Sequence, residues 1–293
     1  MNSSLYKISL LTKSNAHLYQ HLTYTDYVSV LTNIDIYPNW VAIGARYSTF
    51  SVGLILAFFN DHKASIKSIN VYPPHDNKNL EQMLLNRLQV ELRKLNITHV
   101  QFNFKNSDPK ANVYANLFKQ CDFSPVKPLF YQLRITDTHR LNEQKWLHNV
   151  TLPENFEFSL WEEVSEDEIK LIKSLENEPD YISPFYEKDT IEKNSLVLKY
   201  NKEIIGWMIT NRISHDTIRY STLYLNKKKH KLSNIPIKLI KQSVRLQFQK
   251  IDLEKQGVFI VNFENILFIR LLQTLFLPYG KDDIIYEVIK TLL

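Results

Sequence analysis

The sequence predicts an α/β (α+β) fold of two similar domains in tandem, each a mixed, mostly antiparallel sheet flanked by helices. The length of 293 residues indicates two domains, since domains average roughly 150 residues. The order of predicted strands and helices in the first half recurs in the second. Matching positions also keep a nearly constant separation, which is the sequence signature of an internal repeat.

The first half opens with short runs of apolar residues that predict β-structure. Apolar segments at 52–59 and 65–71 form a predicted antiparallel hairpin around the turn at 60–62. Pro73 and Pro74 end the second strand, and leucines at helical spacing follow from Leu80. The other predicted elements of this half are a strand at 40–43, a helix at 80–95, a strand at 98–104, a helix at 111–120 and a closing strand at 128–135.

The second half repeats this order after a polar stretch at 137–155, which is interpreted as a linker. A short alternating strand begins at Phe156, and a capping-box sequence that starts helices begins at Ser165. The later predicted elements are strands at 196–199, 204–213 and 218–225, a helix at 235–249, a strand at 258–263, a helix at 265–275 and a closing strand at 284–289.

Three aligned pairs quantify the repeat. They are Gly53 with Gly206, Leu85 with Ile240 and Phe123 with Leu277. Subtracting the residue numbers gives separations of 153, 155 and 154 positions. A duplication explains such a constant offset. The sequence therefore predicts an N-terminal domain at 1–136, a linker at 137–155 and a C-terminal domain at 156–293.

Composition restricts the partners and the compartment. The net charge of +5 and the isoelectric point near 9.0 favour anionic partners, while the absence of a recognised nucleic-acid motif argues against nucleic acid. Cys121 is the only cysteine, so an intrachain disulfide is excluded. No apolar run reaches ~18 residues and no secretory leader is recognisable. We expect a cytoplasmic protein that makes no membrane contact and binds no metal.

Each half also contains a strand that leads through a polar loop into a helix. The first N–H groups of a helix have no partner within it, and the helix dipole favours negative charge there. A pyrophosphate would bind at this position. The loop starts after Val71 in the first half and after Leu225 in the second.

The first of these loops resembles the signature of the GNAT superfamily of N-acyltransferases, roughly V-x-P-x-x-R-G-x-G-I-G-x-x-L-L. The matching residues are Val71, Pro73, Leu84 and Leu85. Asp76 replaces the family's Arg or Gln, Asn77 and Asn79 replace glycines, and Glu81 replaces a small residue. Two carboxylates here oppose CoA by charge repulsion. The resemblance therefore implies a degraded donor loop in the first half.

The second half aligns 231–236 with the R-G-x-G-I-G part of the signature and retains a positive charge. The resemblance implies a donor site for acetyl-CoA or another acyl-CoA at Leu223, Leu225, Lys231, Leu232, Ser233, Asn234, Ile235 and Asn265. Lysines at 227–231 offer charge to phosphates, although such a run is also typical of a solvated turn. Asn265 matches a family asparagine, but the same residue would serve as a helix N-cap.

Many GNAT enzymes protonate the departing thiolate with a tyrosine on the last helix. Phe118 and Leu272 occupy the matching positions, so the sequence predicts that this acid is absent from both halves. A base on the strand that contains Tyr220, Thr222 and Tyr224, or in the segment 176–181, would accept the amine proton. Backbone N–H groups near Leu223 and Leu225 would polarise the thioester carbonyl.

The predicted function is transfer of an acyl group from an acyl-CoA to an amine-bearing small molecule or peptide. The second half would bind the donor and the first would shape the acceptor site. A second hypothesis is a non-catalytic protein that binds acyl-CoA or another partner. A third is a transferase whose donor is an acyl carrier protein or an aminoacyl-tRNA.

Overall fold

A computed structural model describes residues 5–75, 79–175, 182–185, 191–226 and 234–292. The chain divides into two compact units. Unit 1 comprises Met1–Leu129 together with Ile285–Leu293, and unit 2 comprises Phe130–Ile284. In the described part of the chain, no helix has the length and apolar character needed to cross a membrane.

The first half of the chain contains the predicted elements in the predicted order. These are β2 (Trp40–Tyr47), β3 (Phe50–Asn60), β4 (Lys63–Val71), α3 (Leu80–Lys94), β5 (His99–Lys105), α4 (Ala111–Gln120) and β6 (Lys127–Ile135). Three elements that the sequence does not predict precede them, β1 (Tyr6–Leu10), α1 (Lys13–Ala16) and α2 (Thr25–Thr32). The second half follows with α5 (Thr138–Asn142), α6 (Lys145–His148), β7 (Phe156–Leu160), α7 (Glu166–Ser174), β8 (Leu196–Tyr200), β9 (Glu203–Ser214), β10 (Thr217–Leu225), α8 (Ile235–Leu246), β11 (Gln256–Asn262), α9 (Ile266–Phe276) and β12 (Gly280–Thr291).

The sheet of unit 1 has the strand order β1, β2, β3, β4, β5 and then the end of β12. All neighbouring strands are antiparallel except β4 and β5, which are parallel. One face packs on α3, whose apolar residues recur at helical spacing and are fully buried at Leu80, Leu84 and Leu88. A separate cluster that includes Leu31 and Leu54 covers the other face.

The sheet of unit 2 has the strand order β6, β11, β10, β9, β8 and β7. Only β10 and β11 are parallel. The helix α8 lies against one face through Leu239 and Ile240, both fully buried. A second cluster around Trp207 and Ile172 lies on the other face. Each unit is therefore a mixed, mostly antiparallel sheet flanked by helices, as the sequence predicts.

The last strand of each half belongs to the other half's compact unit. Residues Ile285–Thr291 of β12 pair with β5 in unit 1. Residues Phe130–Ile135 of β6 pair with β11 in unit 2. The compact units therefore do not coincide with consecutive stretches of sequence. The domain boundaries 1–136 and 156–293 describe the two copies of the sequence repeat. They stay a prediction, since the compact units are defined by contacts instead.

The stretch at 137–155 contains the two short helices α5 and α6. The side chain of Asp137 caps α5 by accepting the N–H of Arg140 at 3.2 Å. Leu141 and Leu147 are fully buried in the core of unit 2. The mostly polar composition of this stretch predicts a linker. Its two buried leucines nevertheless pack it against the core of unit 2.

We predict that Glu168 stabilises unit 2 in a pH-dependent way through a capping box at the start of α7. Its carboxylate accepts the Ser165 N–H at 2.9 Å and contacts the Lys199 ammonium at 2.7 Å. The Lys199 contact, followed by the Ser165 hydrogen bond, lowers the pKa of Glu168. A carboxyl whose pKa is lower in the folded state stabilises the protein above its unfolded-state pKa, and this stabilisation is lost as the pH falls through the folded-state value.

Glu168→Gln is therefore expected to lower the free energy of unfolding by about 1 kcal/mol at pH 7. The difference from wild type should shrink towards pH 3. Urea unfolding at both pH values measures it. The control is Glu166→Gln, an exposed residue in the same first turn. Equal losses in the two variants at pH 7 would contradict a specific role for Glu168.

Candidate functional site

The parallel strands of unit 2 separate part of the way along their length. Pairing between β10 and β11 runs from Thr217–Gln256 to Tyr220–Phe259. Beyond that point β10 continues to Leu225 and pairs only with β9. The two strands therefore enclose an opening in the sheet, which we call the unit 2 opening. It begins immediately after Tyr220.

A β-bulge lies where the unit 2 opening begins. Tyr220 pairs with Thr210 and Thr222 pairs with Ile209, so Ser221 is an extra residue in β10. The bulge shifts the alternation of side chains. Tyr220 therefore packs in the cluster next to α8, whereas Tyr224 packs in the cluster on the opposite face. The period-two spacing of the candidate bases alone would place them on one face.

Backbone groups of β10 are directed towards the unit 2 opening. The Asn226 N–H donates to the Ile205 carbonyl of β9 at 2.8 Å. Because hydrogen-bonded and non-hydrogen-bonded positions alternate in antiparallel pairs, the N–H groups of Leu225 and Leu223 are directed away from β9. They lie on the side from which β11 has diverged. This orientation suits the carbonyl-polarising role that the sequence suggests for them.

Unit 1 has the same construction between β4 and β5. Parallel pairing ends at Ile66–Phe102. Lys67 is the extra residue of a bulge, since Leu56 pairs with Ser68 and Ala57 with Ile66. Lys67 and Ser221 are 154 positions apart. The bulge thus follows the same repeat as the sequence, although no residue type marks it.

The two helices that follow these strands differ in charge at their first turns. Glu81 is the second residue of α3 and places a carboxylate in its first turn. The first turn of α8 contains no acidic residue, and Pro236 is its second residue. Because anions bind favourably at helix N-termini, the start of α8 suits a phosphate better than the start of α3.

Several predicted donor residues lie outside the described residues. These are Lys231, Leu232 and Ser233 of the second loop, with the lysines at 227–229 and His230. Asp76 and Asn77 of the first loop and the segment 176–181 are also outside. Of the second loop, the structure places Asn234 directly before α8 and Ile235 as its first residue, fully buried against the sheet.

Tyr220 is placed in the core of unit 2. Its hydroxyl donates to Oε1 of Gln247 at 2.7 Å, and its ring stacks on Phe259 with centroids 4.4 Å apart. Gln247 in turn donates to the Lys255 carbonyl at 2.7 Å. Burial raises the pKa of Tyr220 far above its usual range. A buried hydroxyl with a fixed acceptor suits a structural role better than proton transfer.

Thr222 and Tyr224 lie on the opposite face of β10 and are also buried. The Tyr224 ring stacks on Trp207 with centroids 4.3 Å apart. The indole N–H of Trp207 donates to the Ile182 carbonyl at 3.2 Å. These contacts bring Tyr224 close to the described segment 182–185. Tyr224 is thus connected through Trp207 to Ile182, whereas Tyr220 packs next to α8.

The start and interior of the last helix in each half show capping and packing. The Asn265 side chain accepts the Phe268 N–H at 3.3 Å, so Asn265 caps α9. Phe118 and Leu272 are fully buried. Tyr114, one turn before Phe118 on α4, stands 5.0 Å from Phe102 between ring centroids. Burial, reinforced by Asp108, raises the pKa of Tyr114. The sequence analysis does not single out Tyr114, because this residue lies one helical turn before Phe118, the position where the family has its tyrosine acid.

The fold of the whole chain is similar to solved structures of a tandem GNAT protein and of GCN5-related N-acetyltransferases. A tandem GNAT protein from the clavulanic acid biosynthesis pathway superposes with a TM-score of 0.65 at 10% identity, covering 98% of this chain and 99% of that one. A GCN5-related N-acetyltransferase from Sphaerobacter thermophilus gives 0.62 at 11% identity, covering 100% and 97%. A glucosamine N-acetyltransferase region of a fungal multi-domain β-N-acetylglucosaminidase gives 0.64 at 11% identity, covering 97% of this chain and 38% of that one.

Comparisons by sequence give no such match. No protein-family model matches the chain, and no curated protein does. At these low identities the structural likeness shows the fold, which is the tandem GNAT fold. The residue-level assignments above rest on the geometry of this chain alone.

Proposed function

We propose that this chain, which has the tandem GNAT fold, transfers an acyl group from acetyl-CoA or another acyl-CoA to an amine-bearing small molecule or peptide. The observation that carries the proposal is the unit 2 opening. It combines a strand that diverges after a bulge, N–H groups of Leu223 and Leu225 directed into the gap, and a following helix whose first turn has no carboxylate. A cytoplasmic location is part of the proposal.

The donor would be held by unit 2 through its backbone. Its pyrophosphate would lie at the start of α8, near Asn234 and Ile235, where the helix dipole favours negative charge. The acyl carbonyl would accept a hydrogen bond from the N–H of Leu223 or Leu225. These contacts need no particular side chain, which accounts for the weak sequence motif.

In the proposed reaction, the amine nitrogen forms a bond to the acyl carbon as the carbon–sulfur bond breaks. The nitrogen loses a proton and the CoA thiolate gains one. Because Phe118 and Leu272 occupy the two positions of the family's tyrosine acid, we assign protonation of the thiolate to water. Removal of the amine proton would fall to Tyr224, acting through water, or to a residue of the segment 176–181.

Placing a carboxylate in the first turn of α8 tests the proposed donor site. Pro236 of α8 corresponds to Glu81 of α3 at a separation of 155 positions, so Pro236→Glu transfers the carboxylate of the first half to the second. We expect it to weaken acetyl-CoA binding about tenfold, the effect of placing a like charge near a phosphate. Pro236→Gln is the matched neutral control and should bind as wild type does. Calorimetric titration of acetyl-CoA and longer acyl-CoAs measures both.

The outcomes separate the hypotheses. Binding that Pro236→Glu weakens, together with release of free CoA when amines are added, supports acyl transfer in unit 2. Binding without release of CoA supports the non-catalytic reading. Absence of binding by any acyl-CoA contradicts the proposal and favours a carrier-protein or tRNA-bound donor. Glu81→Gln should leave binding unchanged if unit 1 plays no part in holding the donor.

A further inference from the structure

A cavity of about 510 Å³ lies on unit 1 at the turn between β3 and β4, and no part of the proposed acyl transfer uses it. Its lining includes Phe58, Ser65, Lys67 and Gln101. Cavities that bind small molecules have volumes of about 300 to 1,000 Å³. We call it the Lys67 cavity.

Three of these side chains form a row across adjacent strands. Phe58 on β3 is the register partner of Ser65 on β4, and Ser65 is the register partner of Gln101 on β5. Register partners place their side chains on the same face of a sheet. Lys67 follows Ser65 on β4 at the bulge. The row therefore places one ring, one hydroxyl and one amide beside the Lys67 ammonium group.

Lys67 is the half-buried cation of this cavity, which the exposed residues Asp61 and Lys63 also line. Its Nζ lies 6.0 Å from the Phe58 ring centroid. Within the described ranges, no carboxylate forms an ion pair with it. Burial lowers its pKa. A partly desolvated ammonium favours an anion in contact, because the anion restores the interactions that water supplied.

The neighbouring polar groups have unused hydrogen-bonding capacity. In the part of the chain that the structure describes, neither the Ser65 hydroxyl nor the Gln101 amide has a hydrogen-bond partner. Both can donate to an oxyanion. The Phe58 ring packs on Trp40 with centroids 5.3 Å apart, which fixes an apolar surface next to these donors. The cavity thus combines the half-buried Lys67 cation, two donors and a flat apolar wall.

We infer that the Lys67 cavity binds a small carboxylate that carries a planar apolar group. The carboxylate would contact Lys67 and accept hydrogen bonds from Ser65 and Gln101, while the planar group lies against Phe58. The inference is specific to unit 1. In unit 2 the corresponding row consists of Asn211, Arg219 and Val258, with Ser221 in the place of Lys67, and this set lacks both the ring and the lysine.

Benzoate is a suitable probe because it combines a carboxylate with a planar ring. Calorimetric titration compares it with benzyl alcohol and benzylamine, which keep the ring but replace the anion by a neutral and a cationic group. In wild type we expect benzoate to bind at least tenfold more tightly than either. Lys67→Met keeps the length of the stem but removes the charge, and should weaken benzoate binding about tenfold.

Lys63→Met is the matched control, since Lys63 lines the same cavity but is exposed. It should change benzoate binding less than twofold. Equal losses in the two lysine variants would overturn the inference, because they would reflect the net charge of the surface. Equal binding of benzoate and benzyl alcohol by wild type would overturn it as well.

A second measurement on wild type needs no variant and stays informative if Lys67→Met fails to fold. In an NMR titration, benzoate should change the amide chemical shifts of residues 58–67 and of Gln101. The amide chemical shifts of the other residues of unit 1 should stay unchanged within experimental error. Shifts confined to other residues would overturn the inference. The test uses no acyl-CoA, so its outcome is independent of the proposed acyl transfer.

Discussion

Removing residues 285–293 is expected to unfold unit 1 and to leave unit 2 folded. These residues are the last in the chain, yet they form a strand of the first unit. Residues Ile285–Thr291 of β12 pair with Lys105–His99 of β5 along seven register positions. The side chains of Val288 and Leu292 belong to the core cluster of unit 1 and are 1% and 6% exposed.

The expected loss is large compared with the stability of a domain. Burial of two such aliphatic side chains contributes about 3 to 6 kcal/mol. Further contacts hold the strand, including the Ser124 N–H to the Ile289 carbonyl at 2.8 Å and the Leu292 N–H to the Thr98 carbonyl at 2.7 Å. The total free energy of unfolding of a domain is only about 5 to 15 kcal/mol, so the loss of this strand removes a large part of the stability of unit 1.

Hydrogen exchange followed by mass spectrometry measures this effect unit by unit. In the chain ending at Ile284, amides of β5 and α3 should exchange rapidly, whereas those of β9 and β11 should stay protected. Adding a peptide of residues 280–293 should restore part of the protection in β5. The point-mutation counterpart is Val288→Asp, with the exposed Ile289→Ser as control. Persistent protection of β5 in the truncated chain would contradict the assignment of β12 to unit 1.

The sequence predicts individual elements well because their causes are local. Leu80, Leu84 and Leu88 recur at helical spacing, and all three face the sheet of unit 1 as an apolar helix stripe must. Asn265 has the side chain of an N-cap and serves as one. The apolar runs of β3 and β9 likewise mark real strands, which are buried on both faces.

The features that define the opening depend on longer-range contacts. An extra residue at Ser221 is defined only by its partner strand, and nothing in the sequence of β10 distinguishes it. The spacing of Tyr220 and Tyr224 suggests a shared face until the bulge separates them. The partner of a closing strand is also not evident from the sequence of that strand, because β12 pairs with β5 and β6 pairs with β11, strands that lie far away along the chain.

Gly206→Ala is expected to lower both the stability of unit 2 and its affinity for acyl-CoA. Gly206 of β9 is the register partner of Leu225, whose N–H is directed towards the unit 2 opening. A Cβ atom at position 206 would lie 2.6 Å from the Tyr224 carbonyl oxygen and 3.3 Å from the Leu225 Cα. These are backbone atoms, so the end of β10 has to move to accommodate the methyl group.

The repeat supplies a matched control at Gly53. This residue pairs with Val71 just as Gly206 pairs with Leu225. A Cβ atom at position 53 would meet only side chains, the nearest being Leu84 Cδ1 at 3.0 Å. Side chains adjust more easily than backbone, and replacing glycine by alanine in a strand also gains roughly 0.5–1 kcal/mol. Gly53→Ala should therefore change the free energy of unfolding by less than about 1 kcal/mol.

For Gly206→Ala we expect the free energy of unfolding to fall by about 1 to 3 kcal/mol, the usual cost of overpacking that displaces backbone. Because the displaced residues include Leu225, acetyl-CoA affinity should fall by about tenfold in the same variant and stay unchanged in Gly53→Ala. Urea unfolding and calorimetric titration measure the two effects separately. A stable Gly206→Ala protein with normal affinity would show that the end of β10 relaxes freely. A destabilised protein with normal affinity would show that the donor does not depend on this edge of the opening, and would remove the central support for acyl transfer in unit 2.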